Sequence, residues 1–299
     1  MPSLASRLAP LVITLRGSKW RFSSAARTLA QVERLQRHPK SFEPPASLSK
    51  TVGLVRREIS GWPVYEVSPR DSPTHRRALY LHGGCYVFEI DSVHWALIAK
   101  LAVEAGVTVS VPIMPLAPAG TAAHIVPAVA DLAATLVDEV GADNVTIIGD
   151  SSGGGMAFAV AQVLRDLGLP PLGATVLISP WLDISGTDPR LKEIAPKDPW
   201  LAVPGTHAAG ALYRADLAES DPLVSPINGS LEGLGPVTMF SGTRDILNAD
   251  ATRLVRLAAA SGLDLDYHEG VGMIHNYPIL PMPEGDDARA VIVAAIARD

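Results

Sequence analysis

The segment Asn144-Val145-Thr146-Ile147-Ile148-Gly149-Asp150-Ser151-Ser152-Gly153-Gly154 holds the strongest fold signal in the chain. Its first five residues are typical of a buried strand, and an apolar helical stretch begins near Met156. Between them stands Gly-x-Ser-x-Gly, the pattern of a strand-to-helix turn so tight that the serine is lifted above the strand end. Glycines on both sides let the neighbouring backbone pass without a Cβ clash. The segment predicts Ser151 as a nucleophile, although a turn that only packs tightly or binds a phosphate has the same pattern.

Two neighbours of Ser151 carry groups that compete for a role. Ser152 has a second hydroxyl, but the motif places Ser151 at the apex of the turn and leaves Ser152 to donate its backbone N–H. The helix N-terminus behind the serine adds partial positive charge where an oxyanion would form. The Asp150 side chain is expected to point away from the nucleophile and to have a structural role.

Short apolar runs and helical stretches alternate on both sides of this segment. The predicted strands are 51–59, 62–67, 78–82, 107–113, 145–149, 174–179, 236–241 and 264–268. The predicted helices are 24–40, 92–104, 121–139, 153–167, 248–260 and 285–298. Alternation of this kind predicts an α/β fold with a mostly parallel eight-stranded sheet flanked by helices on both faces.

Two segments lie outside the alternation. Residues 185–225 are rich in Pro, charged and small residues, with short helical patterns at 189–195 and 206–214, and we predict an inserted cap there. Residues 1–50 form an N-terminal segment that ends at Pro44 and Pro45. The catalytic core is therefore predicted to comprise 51–184 and 226–299.

A second glycine-containing turn follows the strand at 78–82. It reads His82-Gly83-Gly84-Cys85-Tyr86. Consecutive glycines let backbone N–H groups face a developing oxyanion, so Gly83, Gly84 and Ser152 are the predicted donors. Without the Ser151 turn, an ordinary loop would explain these glycines equally well. His82 is expected to hold the loop by hydrogen bonding, and Cys85 to pack nearby rather than to react.

An acid and a base must follow Ser151 in the order Ser, Asp or Glu, His, each at the C-terminal end of a later strand. His275 follows the last predicted strand in a glycine-containing loop, and we prefer it as the base. The alternatives are His268, at the end of that strand, and His207, in the predicted cap. Asp245 lies just beyond the strand at 236–241 and is the preferred acid. Asp183, after the preceding strand, is the second choice, and a helix-capping role would explain Asp245 as well.

Composition limits the classes of partner. The 299-residue chain carries a net charge of −6 without a Lys/Arg cluster, which argues against nucleic acid and anionic membranes as partners. Its one cysteine and the absence of metal-ligand spacing argue against disulfides, a metal or another cofactor. The apolar run Leu8–Leu15 is too short to span a bilayer and is a poor signal peptide, so a cytoplasmic location is expected. That run could equally lie on a membrane surface or line a pocket.

Together these motifs resemble those of the hormone-sensitive-lipase-like family of esterases. His82-Gly83-Gly84 is similar to the HGG oxyanion signature, and Gly149 to Gly154 to the GDSAGG turn. Further segments carry the resemblance through 77–280: Leu116-Ala117-Pro118, Ser179 to Asp183, Asp221 to Pro226, Gly242 to Leu247 and Gly272 to His275. The sequence departs from the family pattern at Cys85, which replaces a glycine, at Met114 and Pro115, and at Asn276, which also replaces a glycine.

The resemblance implies an α/β-hydrolase fold with a helical cap built from 1–50 and 185–225. It implies a serine carboxylesterase that hydrolyses short- to medium-chain acyl esters through an acyl-enzyme, with Ser151, Asp245 and His275 as catalytic residues. A lactone hydrolase or amidase would use the same residues, and a non-catalytic ligand receptor would share the fold. The resemblance is compatible with a homodimer, but the residues themselves indicate no interaction surface.

Overall fold

The computed structural model of the chain, which describes residues 2–70 and 74–298, contains one eight-stranded sheet. The strands are β1 (Val52–Ile59), β2 (Trp62–Pro69), β3 (Arg77–Leu81), β4 (Thr108–Pro112), β5 (Val145–Asp150), β6 (Ala174–Ile178), β7 (Val237–Arg244) and β8 (Leu265–Ile274). Their order in the sheet is β1-β2-β4-β3-β5-β6-β7-β8. β1 and β2 are antiparallel to their neighbours, and all other pairs are parallel. The predicted mostly parallel sheet is confirmed.

Ten α-helices occur among the described residues. They are α1 (Leu4–Leu15), α2 (Ser18–Phe22), α3 (Ala25–Arg37), α4 (Ser92–Glu104), α5 (Ala122–Val140), α6 (Ser152–Asp166), α7 (Leu191–Ile194), α8 (Val203–Arg214), α9 (Asn248–Ser261) and α10 (Pro283–Ile296). Local signals set their ends: the Ser24 side chain caps the start of α3, and Gly262 ends α9 with a φ of 75°.

The strands bury side chains on both faces of the sheet. Leu79 and Ile147 belong to a core shared with α5, α6 and α9. Tyr80 and Ile148, one residue further along each strand, belong to a second core shared with α4 and α10. Because side chains alternate across a strand, near-continuous apolar runs such as those in β3 and β5 fit a sheet that is covered on both sides.

The strand order reverses between β3 and β5. From β3 the chain crosses to β4 on one side, and β5 then pairs with β3 on the other. Loops that follow two strands at such a switch point diverge and leave a crevice at the carboxyl ends. The turn at Ser151 follows β5 and the loop at His82 follows β3, so the fold places both at this crevice.

The predicted end of β8 was wrong. We predicted a strand at 264–268 followed by a glycine-containing loop, but Gly270 to Ile274 continue the strand beside β7. The two strands pair with a register shift between Gly242 and Arg244. Glycines have low strand propensity, and the irregularity accommodates them, so propensity alone ends the strand too early. His275 is therefore the first residue after a strand.

The apolar run at Leu8–Leu15 is part of a longer helix, α1. The Ser3 hydroxyl accepts a hydrogen bond from the Ser6 backbone N–H and caps its start. Glu284, at the start of α10, accepts hydrogen bonds from Ser3 and Ser6 and fixes α1 to the core. No helix within 2–70 or 74–298 has both the length and the apolarity of a membrane span.

Helices α2 and α3 pack against α8, which belongs to the segment 185–225. The approach is close, since a Cβ at Gly205 would overlap the backbone of Phe22 and the hydroxyl of Thr28. The Lys19 ammonium donates to the carbonyls of Ala195 and Asp198 at 2.6 Å each. The two segments that stand apart in the sequence thus form one layer.

Candidate active site

Ser151 lies on a strained turn between β5 and α6. Its φ is 53°, a left-handed value that non-glycine residues rarely adopt. A Cβ at Gly149 would overlap the backbone of Gly153, and one at Gly153 would overlap the carbonyls of Leu81 and His82. Both glycines are therefore required by close backbone approach, as the sequence motif predicts. The turn presents the Ser151 side chain at the N-terminus of α6.

The side chains of Ser151, His275 and Asp245 meet at one point. His275 Nε2 lies 3.0 Å from Ser151 Oγ, and His275 Nδ1 lies 2.8 Å from Asp245 Oδ2. All three residues are buried. Burial lowers the pKa of His275. The charge and hydrogen bond of Asp245, together with the charges of Asp198 and Asp150, outweigh this effect, so the pKa lies above the usual value for histidine. With Nδ1 protonated and bound to Asp245, Nε2 is left to accept the proton of the serine hydroxyl.

The Asp245 loop is held by a second carboxylate from the inserted segment. Asp245 Oδ1 accepts the Leu247 N–H, and Asp198 Oδ2 accepts the Ile246 N–H, each at 2.9 Å. Burial and the negative charge of Asp245 raise the pKa of Asp198 to about 6. Trp200, two residues further on, sets its ring edge-to-face against His275 at 5.5 Å. Sequence reasoning missed both residues, because neither lies in a recognisable motif.

The structure corrects one predicted oxyanion donor. The backbone N–H of Gly83 donates to Asp150 Oδ1 at 3.0 Å, so it is already occupied. Among the described residues, no acceptor contacts the N–H groups of Gly84, Cys85 or Ser152. Sequence reasoning chose Gly83 because it is a glycine. Cys85, two residues further on, adopts a left-handed φ of 53° although it has a side chain. The available N–H donors of this loop are thus those of Gly84 and Cys85.

Cys85 itself has an unreactive environment. Its thiol is buried, and burial together with the negative charge of Asp245 raises the thiol pKa to about 12. The thiolate is the nucleophilic form of cysteine, and it is not populated at neutral pH under these conditions. Cys85 therefore contributes packing and its backbone N–H rather than a nucleophile.

Asp150 joins three loops of the site. Its fully buried carboxylate accepts hydrogen bonds from Tyr80 Oη (2.8 Å), Gly83 N (3.0 Å) and Asn276 Nδ2 (2.7 Å). His94 Nε2, from α4, lies 3.4 Å away. Asn276 follows His275 and has a φ of 54°, which asparagine tolerates better than most residues. The departure from glycine at this position therefore supplies a side chain that ties the His275 loop to the Ser151 turn.

The carboxylates around the buried His94 ring favour its charged form. Burial lowers its pKa, but the carboxylates of Asp150 and Asp91 on either side raise it to about 10. His94 Nδ1 lies 2.9 Å from Asp91 Oδ1, at the start of α4. Asp91 also caps α4, since its carboxylate accepts the Val93 N–H. Sequence reasoning missed His94 and its pairing with Asp150.

We predict that Asp150→Asn lowers the free energy of unfolding by about 3–5 kcal/mol, because it leaves the His94 charge buried without its main partner. The amide oxygen of the variant can keep the bonds from Tyr80 and Gly83, but its NH₂ group then faces the Asn276 amide and cannot accept from it. The anchor of the His275 loop is lost, so kcat is expected to fall in the fraction that remains folded. Urea unfolding and ester hydrolysis measure the two effects.

Asp91→Asn is the matched control, because it removes a carboxylate from the solvent-exposed side of the same histidine. Exposed ion pairs contribute about 0.2–1 kcal/mol, so this variant is expected to remain close to wild type. Equal destabilisation by the two substitutions would contradict the central role of Asp150.

The alternative candidates for the base, the acid and the nucleophile make other contacts. His268 stacks on Phe240 at 5.0 Å, with Asp266 3.0 Å from its Nε2. His207, on α8, has its Nε2 3.1 Å from Glu219 Oε1. The other candidate acid, Asp183, pairs with Arg253 at 2.9 Å. The Ser152 hydroxyl accepts the Tyr86 N–H at 3.2 Å, and His275 contacts the Ser151 hydroxyl instead. None of these side chains contacts the His275–Ser151 pair within the described residues.

A cavity of about 930 Å³ opens above Ser151. The core lines its floor through Gly84, Cys85, Ser151 and His275. The N-terminal segment contributes Ile13, Arg16, Arg21, Phe22 and Val32, and the inserted segment contributes Trp200 and Leu201. Its volume lies within the range typical of sites for small organic ligands.

The chain is similar to known ester hydrolases. The family profile described as alpha/beta hydrolase fold matches residues 78–279. A triacylglycerol lipase of Mycobacterium tuberculosis is 33% identical over 240 residues, which cover 79% of this chain but only 50% of the lipase, so the chain spans half of that relative. An acetyl-hydrolase of Streptomyces hygroscopicus is 33% identical over 229 residues, which cover 73% of this chain and 74% of the hydrolase.

A solved structure gives the same result. An esterase from the bacterial hormone-sensitive lipase family superimposes with a TM-score of 0.78 at 27% identity, covering 91% of this chain and 97% of that one. Because the profile covers most of the chain and these relatives share its sequence as well as its fold, the chain belongs to the α/β-hydrolase fold family and, within it, to the hormone-sensitive-lipase-like carboxylic ester hydrolases.

Proposed function

We propose that the protein is a serine carboxylesterase that hydrolyses short- to medium-chain acyl esters through an acyl-enzyme. The observation that carries the proposal is the continuous contact from Ser151 Oγ through the His275 ring to Asp245, at 3.0 and 2.8 Å. The same three groups in the same roles activate a serine on unrelated folds. Here they lie below a cavity that a small ester can enter.

In the first half-reaction Ser151 Oγ attacks the ester carbonyl carbon while His275 Nε2 takes the hydroxyl proton. Asp245 stabilises the imidazolium that forms, because its carboxylate stays hydrogen-bonded to Nδ1. The carbonyl oxygen becomes an oxyanion, which the N–H groups of Gly84, Cys85 and Ser152 bind. His275 then gives the proton to the leaving alkoxide, the C–O bond breaks, and an alcohol departs.

The second half-reaction repeats these steps with water. His275 takes a proton from a water molecule, whose oxygen attacks the acyl carbonyl, and the same N–H groups stabilise the second oxyanion. Return of the proton to Ser151 Oγ releases the carboxylic acid and restores the free enzyme. Residues 1–50 and 185–225 act as a cap in this proposal, because they supply the upper cavity wall and the Trp200 ring beside His275.

We predict that kcat/KM for p-nitrophenyl esters rises from acetate to butyrate or hexanoate and falls for laurate. Each buried methylene contributes about 0.8 kcal/mol, close to a fourfold gain, until the cavity is full. Two relatives, named an acetyl-hydrolase and a triacylglycerol lipase, support ester substrates for this chain. Steady-state hydrolysis across the ester series measures the profile. An absence of turnover for every ester in the series would contradict the proposed function, and a steady rise through laurate would contradict the chain-length preference.

A further inference from the structure

Helix α1 exposes a continuous apolar stripe. We call it the N-terminal stripe, and it consists of Leu4, Leu8, Leu11, Val12 and Leu15. Their exposed fractions run from 46% to 78%. The spacing of four, three, one and three residues places all five on one side of a helix. Packing against the core does not explain this side, because the helix buries Ser6, Pro10 and Ile13 on the opposite one.

Contacts at both ends of α1 fix the helix to the core with the N-terminal stripe facing outward. Glu284 accepts hydrogen bonds from Ser3 and Ser6 at the start of α1, and Ile13 is buried near its end. Trp20 on α2 extends the apolar surface, since its ring is 62% exposed. The Arg27 guanidinium lies 4.8 Å from the centre of that ring. A tryptophan with an arginine over its ring is typical of the boundary between an apolar phase and water.

The charge of this region is opposite to that of the rest of the chain, so the net charge of −6, from which we argued against an anionic membrane surface, conceals a basic N-terminal segment. Residues 1–50 contain nine Lys and Arg and two Glu, a net charge of +7, so the remainder of the −6 chain carries −13. Helices α1 and α2 carry Arg7, Arg16, Lys19 and Arg21 and no carboxylate. By helical spacing, Arg7 and Arg16 lie on the two opposite edges of the stripe. Within the described residues, no carboxylate lies at salt-bridge distance from Arg7, Arg16 or Arg21.

We propose that the N-terminal stripe and Trp20 dock the protein on an anionic lipid surface. An amphipathic helix of this kind lies in the plane of the interface, with its apolar side among the acyl chains and its cations at the lipid phosphates. A second copy of the chain is a poorer occupant. Stripe-to-stripe contact would bring Arg7 and Arg16 of one copy close to the same two cations of the other. The other large exposed apolar residues outside 1–50 are scattered over the surface: Val55, Val103, Leu167 and Val271.

Docking would also define the substrate class, and this step rests on the proposed function. Ile13, Arg16, Ser18 and Arg21 belong to the docking helices and also line the cavity above Ser151. Ile13 lies on the side of α1 opposite the stripe, so docking would place the cavity directly behind the helix, about 10 Å from the lipid surface. Esters carried in that surface, with an apolar tail and a polar head, would then have a short path to the cavity.

The binding test uses the full chain with Ser151→Ala, so that no turnover occurs, and co-sedimentation with vesicles. We expect binding to vesicles of phosphatidylcholine with phosphatidylglycerol, weak binding to phosphatidylcholine alone, and release at about 1 M salt, where charges are screened within about 3 Å. Leu8→Gln/Leu11→Gln/Leu15→Gln is expected to weaken binding at least about tenfold, because three apolar side chains no longer insert. Val103→Gln/Leu167→Gln/Val271→Gln removes as many exposed apolar residues elsewhere and is expected to bind like the parent.

Three results would overturn the docking proposal. The first is failure of the Ser151→Ala parent to bind anionic vesicles, and the second is equal binding by the two triple variants. The third is a change from dimer to monomer in the stripe variant, since it would assign the stripe to contact between copies.

Hydrolysis separates this proposal from the proposed function. In the background with Ser151 intact, the stripe variant is expected to hydrolyse soluble p-nitrophenyl butyrate at the wild-type rate, which also shows that it folds. Its rate on an ester embedded in anionic vesicles is expected to fall about tenfold. If the wild-type protein hydrolyses neither ester, the proposed esterase function is refuted. If wild type and stripe variant hydrolyse the vesicle-embedded ester at equal rates, only the docking proposal is refuted.

Discussion

Ser151→Ala is expected to lower kcat for p-nitrophenyl butyrate by about 10⁶-fold, the loss seen when a catalytic serine of this type is removed. The reason is geometric: His275 Nε2 lies 3.0 Å from the Ser151 hydroxyl, and among the described residues it has no other hydroxyl to activate. A fluorophosphonate probe is expected to modify the parent at Ser151 and to leave the variant unmodified. Intact-mass and peptide mass spectrometry locate the modification.

Ser152→Ala is the matched control for the nucleophile. It removes a hydroxyl that accepts only the Tyr86 N–H and keeps the backbone N–H proposed as an oxyanion donor. One hydrogen bond of this kind contributes about 0.5–1.5 kcal/mol, so kcat is expected to stay within about tenfold of wild type. Equal rates for Ser151→Ala and wild type, or probe labelling at Ser152, would remove Ser151 from the mechanism.

Asp245→Asn is expected to lower kcat by about 10⁴-fold. In the folded protein Asp245 Oδ1 accepts the Leu247 N–H, so the amide oxygen of the variant is held there and its NH₂ group faces His275. An NH₂ group can only donate to Nδ1, which forces the proton onto Nε2. In that tautomer Nε2 no longer accepts the Ser151 proton.

The pH profile gives a second readout of the same substitution. Catalysis needs neutral His275, and the pKa of His275 is raised by Asp245 after burial has lowered it. Activity of the wild type is therefore expected to appear as the pH rises through a value above 6.5, the usual pKa of histidine. Without the carboxylate, the residual activity is expected to appear at lower pH.

Asp183→Asn is the control for the acid, because Asp183 was the rival candidate and pairs with Arg253 instead. Its kcat and its pH profile are expected to match those of wild type. A loss of 10⁴-fold in this variant, together with a near-normal Asp245→Asn, would reverse the assignment of the acid.

Some of the site required information that the sequence does not carry. Gly83 looked like an oxyanion donor because it is a glycine after a strand, but its N–H is taken by a carboxylate 67 residues away. Asp198 and Trp200 lie in a segment with no periodic pattern, and their contacts with Ile246 and His275 join residues that are far apart in the chain. Asn276 was recorded as a departure from a family pattern, whereas the structure gives it a partner in Asp150, 126 residues away.

The sequence by itself determined the number and order of the eight strands along the chain, their approximate positions and the tight turn at Ser151. Those features depend on residues within a few positions of each other: apolar periodicity selects the element, and glycines at Gly149 and Gly153 permit the tight turn. Only the tertiary structure decided which N–H groups are free, which carboxylate contacts His275 and which side of α1 faces water. Those contacts join residues far apart in the chain, and a buried polar group takes its partner from whatever the packing of helices and strands places within hydrogen-bonding distance.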